Sequence, residues 1–266
     1  MLCMVDVQSR KDNRKIQINK VGVKGLHYPI VVLDKQNKFQ HTIADISLFA
    51  DLAHNLKGTH MSRFIQIFNR YSADFSMENF LEMLKKIKNT LHAQNSFGEV
   101  SFPYFIEKEA PVSKEKSKMN YVCEYIGEVR EEKTLFYIGI QVPVTTVCPC
   151  SKDISARGAH NQRGIVRVKL CLDKFFWIED IISLIEKSAS SELFTLLKRE
   201  DEKYITERAF DNPRFVEDLV RDVTQRIEKM GQFPWFSVEA ENFESIHNHS
   251  AYAYVERGNK NYELAE

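Results

Sequence analysis

Ile16, Ile18, Val21 and Val23 begin a strand-like pattern of apolar positions that continues through Tyr28-Pro29-Ile30-Val31-Val32-Leu33. Asp34 to Lys38 supplies a turn, and Ile46, Leu48, Ala50 and Leu52 alternate as a returning strand, so this stretch predicts an antiparallel pair. Past Gly58 to Arg63, Phe64-Ile65-Gln66-Ile67-Phe68 reads as the opening of a helix that Thr59 or Ser62 would cap, with His60 incidental. Ser76 is placed to cap a second helix to about Gln94. Its Met77, Phe80, Leu81, Leu84, Ile87 and Leu91 form one apolar stripe, which is core.

Val100 to Glu107, Tyr121 to Arg130 and Leu135 to Val147 are β-rich, with the lysines at 114, 116 and 118 at a solvated hairpin tip. Ile165 to Leu172 alternates strictly and predicts another strand, with Cys171 as a small core residue. A helix follows from Phe175 to about Ser190, then the charged run Lys198 to Lys203. Asn212-Pro213 looks like a cap and first helical residue for a helix to about Met230. Phe236, Val238 and Ala240 predict a strand and Ala251 to Val255 a final one. The order nearly repeats a ββαα pattern, which points to an α+β fold of two similar modules in one domain spanning 1–266, with no sequence repeat and with residues 1–14 as a polar N-terminal arm.

Composition narrows the partners. Lys plus Arg and Asp plus Glu are both 37, so no global basic field exists to hold nucleic acid, and any anionic ligand must meet a local site. No run of ~18 or more uncharged apolar residues appears, so no membrane span is expected. The N-terminus lacks the basic and apolar regions of a secretory signal, and five scattered cysteines read as thiols of a cytoplasmic protein rather than a disulfide framework.

The chemistry-bearing stretch is Thr145-Thr146-Val147-Cys148-Pro149-Cys150-Ser151-Lys152 followed by Gly158-Ala159-His160-Asn161-Gln162-Arg163-Gly164. A disulfide across Cys148 and Cys150 would be strained, which favours a metal-bound thiolate over two idle loop thiols. His160, in a glycine-flanked loop, could fold back to the strand end. The second ligand pair of a structural zinc site is missing, so a metal here would keep an open position. His247 and His249 alternate beside Glu244 between the last two strands. Glu202 lies in a charged loop, where most such residues face solvent. Glu217 falls in the first turn of a helix, where the dipole suffices to explain it, although buried there it could accept two parallel hydrogen bonds from a guanine-like edge. Metallopeptidase, P-loop and Rossmann signatures are absent, and the zinc deaminase pattern lacks its His-x-Glu.

With these residues laid out, the sequence resembles the type IB GTP cyclohydrolases of the prokaryotic GTP cyclohydrolase I family. The resemblance runs through Val5 to Arg10, Lys57 to Arg63, Cys148 to Lys152, Gly158 to Gly164, Asp201 to Glu207, Phe215 to Asp218 and Ser245 to Tyr252. It implies a tunnelling fold, in which antiparallel sheets backed by helices assemble into barrels with active sites at subunit interfaces, here expected as a homotetramer. It implies conversion of GTP and water to 7,8-dihydroneopterin triphosphate and formate, at the start of folate and pterin synthesis. Cys148, His160, Glu202 and His247 are the implied metal positions, with Glu244 a competitor to Glu202, and Glu217 is the purine anchor. Water adding at C8 of the base needs an activating divalent ion, and thiolate, imidazole and carboxylate together admit zinc, manganese or ferrous iron. His249, or His247 if it is not a ligand, is the candidate acid and base; Lys152 and Arg163 would meet the triphosphate. The alternatives are a nitrile reductase of deazapurine metabolism with Cys148 as nucleophile, and a non-catalytic pterin- or nucleotide-binding module.

Overall fold

The computed structural model describes residues 8, 10–130, 133–172 and 174–260, and the chain divides into two compact units. The first takes the described residues up to Phe102 together with Glu124–Tyr137; the second takes Pro103–Cys123 and the described residues from Ile138 onward. Three long strands, β3 (Ser96–Glu109), β4 (Lys116–Val129) and β5 (Thr134–Val147), contribute residues to both.

In the first unit, β1 (Ile18–Asp34) and β2 (Lys38–Leu52) form the expected hairpin, in register from Asp34 opposite Lys38 to Ile18 opposite Leu52, with two irregularities that bend β1. The turn is fixed by Asp34, whose Oδ1 accepts from the backbone of Gln36 at 2.9 Å and Asn37 at 2.6 Å. β2 continues antiparallel to β3. The helices are α1 (Met61–Phe68) and α2 (Met77–Leu91). α1 starts one residue before Ser62, with His60 at the cap position and no side-chain bond there, so neither Thr59 nor Ser62 caps it. Ser76 does cap α2, accepting from Asn79 N at 3.2 Å, and His92 in the left-handed conformation ends that helix before Gln94. The stripe of α2 buries Phe80, Met83, Leu84 and Ile87. Phe80 packs among Phe75, Tyr125 and Phe136 with ring centroids 5.7–6.0 Å away. Its ring fits only because β3 and β4 are side-chain-free beneath it: a Cβ on Gly98 or Gly127 would lie 2.9 or 2.5 Å from that ring.

In the second unit, β6 (Asn161–Cys171) pairs antiparallel with β8 (Trp235–Asn242), and β8 with β9 (Ala251–Gly258), while β7 (Ser191–Glu192) pairs with β5. Four helices complete it: α3 (Pro149–Ile154), α4 (Ile178–Glu186), α5 (Arg199–Asp211) and α6 (Val216–Met230). α6 packs on β8 and β9, burying Val216, Leu219, Val220, Val223 and Ile227, and α4 packs on α6. Along β6, Gln162, Gly164, Val166, Val168 and Leu170 are buried, while Arg163, Ile165, Arg167 and Lys169 alternate to the other face. Cys171 is fully buried, the small core residue expected, although it falls on the parity opposite to Val166, Val168 and Leu170.

Several sequence-based boundaries are corrected. The run Lys198 to Lys203 is not a loop, because α5 begins at Arg199. α6 begins at Val216, three residues beyond Pro213. α4 begins at Ile178, not Phe175, and both β6 and β9 are longer than the apolar pattern shows. The described part of the 1–14 arm runs beside residues 55–58: Gly58 N donates to Gln8 O, and Lys57 N to Arg10 O. Residues 1–7 and 9 of that arm lie outside the described residues.

Asp201 explains why the charged run is helical. Its fully buried carboxylate accepts from Val112 N at 2.8 Å and Ser113 N at 2.9 Å at the β3–β4 hairpin tip, and from Lys198 N at 2.9 Å at the start of α5. Burial alone would raise this carboxyl, but the Ser113 hydroxyl and these amides outweigh burial and hold it well below the ordinary value of 3.8. A carboxyl with a lowered folded-state pKa stabilises the fold above its unfolded value and loses that contribution as pH falls through the folded one. Asp201→Asn is therefore expected to lower the thermal midpoint at pH 7, with the gap to wild type narrowing as pH drops below about 4. Thermal unfolding at pH 7 and pH 3 checks this, and a gap that does not narrow contradicts it.

Candidate active site

Cys148 follows the last residue of β5 and is the N-cap of α3, half-exposed, with extended backbone. Proline at the next position suits the first helical turn, and Ser151 N donates to Cys148 Sγ at 3.5 Å. Ser151 then ties the following loop back. Its hydroxyl donates to Cys148 O and accepts from His160 N, both at 3.1 Å, and Cys148 N donates to His160 O at 3.1 Å. The sulfur-bearing strand end and the glycine-flanked histidine are thus brought together by backbone bonds, across the sequence gap that left their proximity open.

His160 is oriented from behind. Its Nδ1 lies 2.9 Å from Gln162 Oε1, and Gln162 is itself held by donating from Nε2 to Thr146 Oγ1 at 2.9 Å. An amide oxygen only accepts, so Nδ1 carries the proton and Nε2 is left with a free lone pair. That is the arrangement by which a ligating histidine is held for a metal. Glu244 Oε2 stands 3.7 Å from the same Nδ1. It belongs to the rear of the imidazole, on the Nδ1 side, and not to Nε2. The sulfur and Nε2 are soft and borderline donors that suit zinc or ferrous iron; a carboxylate added to them would also admit manganese.

The other expected residues are not gathered with this pair. Among the described residues, no three His, Cys, Asp or Glu side chains come together in one chain to hold a metal. Glu202 is exposed in the first turn of α5, beside the buried Asp201. Glu217 is in the first turn of α6 as expected but exposed, so the buried setting considered for it is not found in the isolated chain. His247 and His249 are exposed between β8 and β9, their rings stacked 5.1 Å apart. Lys152 is engaged: its Nζ donates to Phe210 O at 2.6 Å and lies 4.3 Å over the Phe210 ring. Arg163 is exposed on the face of β6 opposite Gln162, and Cys150 is exposed on α3.

Gln162 is the positioning residue that spacing did not single out. Its signal is present in the sequence, as a polar side chain on the buried parity of a strand otherwise carrying Val166, Val168 and Leu170. Gly164 also has a reason here, since a Cβ would meet Asn242 Oδ1 at 2.5 Å.

The fold is that of uricases. The uricase of Arthrobacter globiformis matches with a TM-score of 0.55 at 10% identity, covering 93% of this chain and 96% of that one. A uricase from Bacillus fastidious matches with a TM-score of 0.56 at 6% identity, covering 93% and 94%. At such identities the likeness is one of fold, and it defines the class as an α+β protein of the tunnelling fold. Sequence goes further. The family described as GCHY-1, type I GTP cyclohydrolase folE2, matches residues 4–253. The protein named GTP cyclohydrolase FolE2 from Syntrophus aciditrophicus (strain SB) is 56% identical over 254 residues, 96% of this chain and all of that one. Its namesake in Geobacter metallireducens is 54% identical over 260 residues, 98% and 99%. The chain belongs to the type I GTP cyclohydrolase FolE2 family.

Proposed function

We propose that this chain is a GTP cyclohydrolase that converts GTP and water to 7,8-dihydroneopterin triphosphate and formate, at the start of folate and pterin synthesis. The observation that carries the reading beyond family membership is the Cys148–His160 pair, with the imidazole held by Gln162 so that Nε2 is free. These two residues would hold a divalent ion of zinc, manganese or iron(II), with Glu202 and His247 as further ligands. Because no third ligand joins them within one chain among the described residues, the set would be completed where copies meet in a homo-oligomer, expected as a tetramer. When bound, such an ion supplies Lewis acidity and hydroxide near neutral pH.

The chain's own residues would do the rest. Glu217 offers two carboxylate oxygens to the N1–H and amino group of guanine, a paired acceptor that fixes the ring in plane. His249 is the proton donor and acceptor for ring opening, with His247 as its alternate. Of the two cations expected at the triphosphate, Lys152 already holds Phe210 O, while Arg163 is exposed on the other face of its strand.

The test is to incubate the metal-reconstituted full chain with GTP, oxidise the product and measure neopterin fluorescence together with formate. Fluorescence that rises with time and stops on chelation is the expected result. Absence of product under reconstitution with each of the three metals would overturn the reading, and NADPH consumption with a nitrile substrate would put the reductase in its place.

A further inference from the structure

We propose that Glu244 is a positioning residue that ties the imidazole of His160 to the turn carrying His247 and His249. This role rests on the proposed metal pair of Cys148 and His160 and extends it to the turn. Residues 245–250 are all exposed, yet Glu244, directly before them, turns its side chain inward until only 13% of it meets solvent. A carboxylate loses hydration by such a turn unless something inside attracts it. Among the described residues its carboxylate has one polar partner, His160 Nδ1, 3.7 Å from Oε2. That separation exceeds a hydrogen bond, and the Nδ1 proton goes to Gln162 Oε1 at 2.9 Å. The two acceptors behind the ring therefore act differently. The amide fixes which nitrogen is protonated, while the carboxylate adds negative charge at the rear, which strengthens Nε2 as a donor to a cation.

The root of the turn is fixed by backbone bonds. Asn242 stands opposite Gly164 in the β6–β8 ladder, Phe243 N donates to Arg163 O at 2.9 Å, and Glu244 N donates to Asn242 O at 3.0 Å. Glu244 O then accepts from His247 N at 3.4 Å. One residue thus faces His160 with its side chain and holds His247 with its carbonyl, with the stacked rings of His247 and His249 beyond. When Nε2 holds a cation, positive charge spreads over the imidazole and draws the carboxylate towards Nδ1. The turn, whose own residues are all exposed, is ordered along with it. A carboxylate on the Nδ1 side faces away from an ion at Nε2, so this placement gives Glu244 a role other than that of a rival ligand to Glu202.

Cobalt(II) is the probe, titrated into the metal-free full-length protein, because a thiolate ligand gives a near-ultraviolet charge-transfer band and the visible bands report the ligand set. Glu244→Gln keeps the size and an acceptor oxygen but removes the charge. It is expected to weaken cobalt binding by about tenfold or more while the saturated spectrum matches wild type. Hydrogen exchange over residues 245–250 is expected to slow when wild type is saturated with cobalt, and to slow much less in saturated Glu244→Ala. Wild-type affinity in Glu244→Gln, or equal slowing in Glu244→Ala, overturns the proposal. An altered visible spectrum in Glu244→Gln overturns it too, since Glu244 would then be a ligand itself. Formate release from GTP by the same loaded wild type keeps the two readings apart: cobalt uptake and slowed exchange without formate would sink the cyclohydrolase reading and leave the coupling standing.

Discussion

Cys148→Ala is expected to reduce formate release from GTP by roughly three orders of magnitude or more while the chain remains folded. The expectation follows from an asymmetry in what the residue does. Its backbone closes the loop, through Cys148 N to His160 O and through Ser151 Oγ to Cys148 O, and alanine keeps both bonds. Its side chain is half-exposed and, among the described residues, receives only the Ser151 N–H at 3.5 Å, a capping contact worth about 1 kcal/mol or less. The thermal midpoint should therefore move by no more than ~2–4 °C. Loss of the sulfur donor on the residue whose backbone pairs with His160 should also lower the bound metal after dialysis, measured by elemental analysis. Near-normal turnover in the variant would remove the proposed ligand role of Cys148.

Phe80→Ala should have the largest effect on stability. Removing a fully buried phenyl ring typically costs ~3–5 kcal/mol, which in a chain of this size lowers the midpoint by on the order of 10 °C. The upper part of that range is expected, because the floor of the void would be Gly98 and Gly127, which have no side chains to move inward. The neighbouring Phe75, Tyr125 and Phe136 are rigid rings that fill space poorly when one of their number is lost. Calorimetry of the purified variant measures the shift, and a drop of less than about 3 °C would show that the cluster closes over the gap.

How much of this was legible depended on whether burial left a period in the sequence. β1, β2 and α2 each bury one face, so alternation or a stripe marked them, and Ser76 carried a cap signal the structure uses. α5 buries only Asp201 and Ala209, so it has no apolar stripe and its charges read as a loop. Pro213 offered a familiar helix start, but Arg214 N donates to Val147 O, which keeps that segment against the end of β5 until Val216. At the candidate site, Cys148 and His160 were visible as residue types, and the resemblance joined them. Their juxtaposition was not visible, because Ser151 and the backbone create it. Gln162 escaped notice because a glutamine has no standing as a ligand, and its role appears only once the hydrogen bond to His160 is seen. Asp201 was overshadowed by its neighbour Glu202, although the buried carboxylate is the one whose partners are all within the chain.

The attachments of α5 carry a mechanical consequence. One end is moored through Asp201 to a hairpin tip, and the other through Phe210 O to the ammonium of Lys152, while little of its flank is sunk in the interior. A rod pinned at its ends, and tied along its flank through Arg208 to Glu192, keeps its position along its own axis. Glu202, adjacent to one pin, would then have its height set by the chain itself and its direction settled by whatever comes to lie against that side.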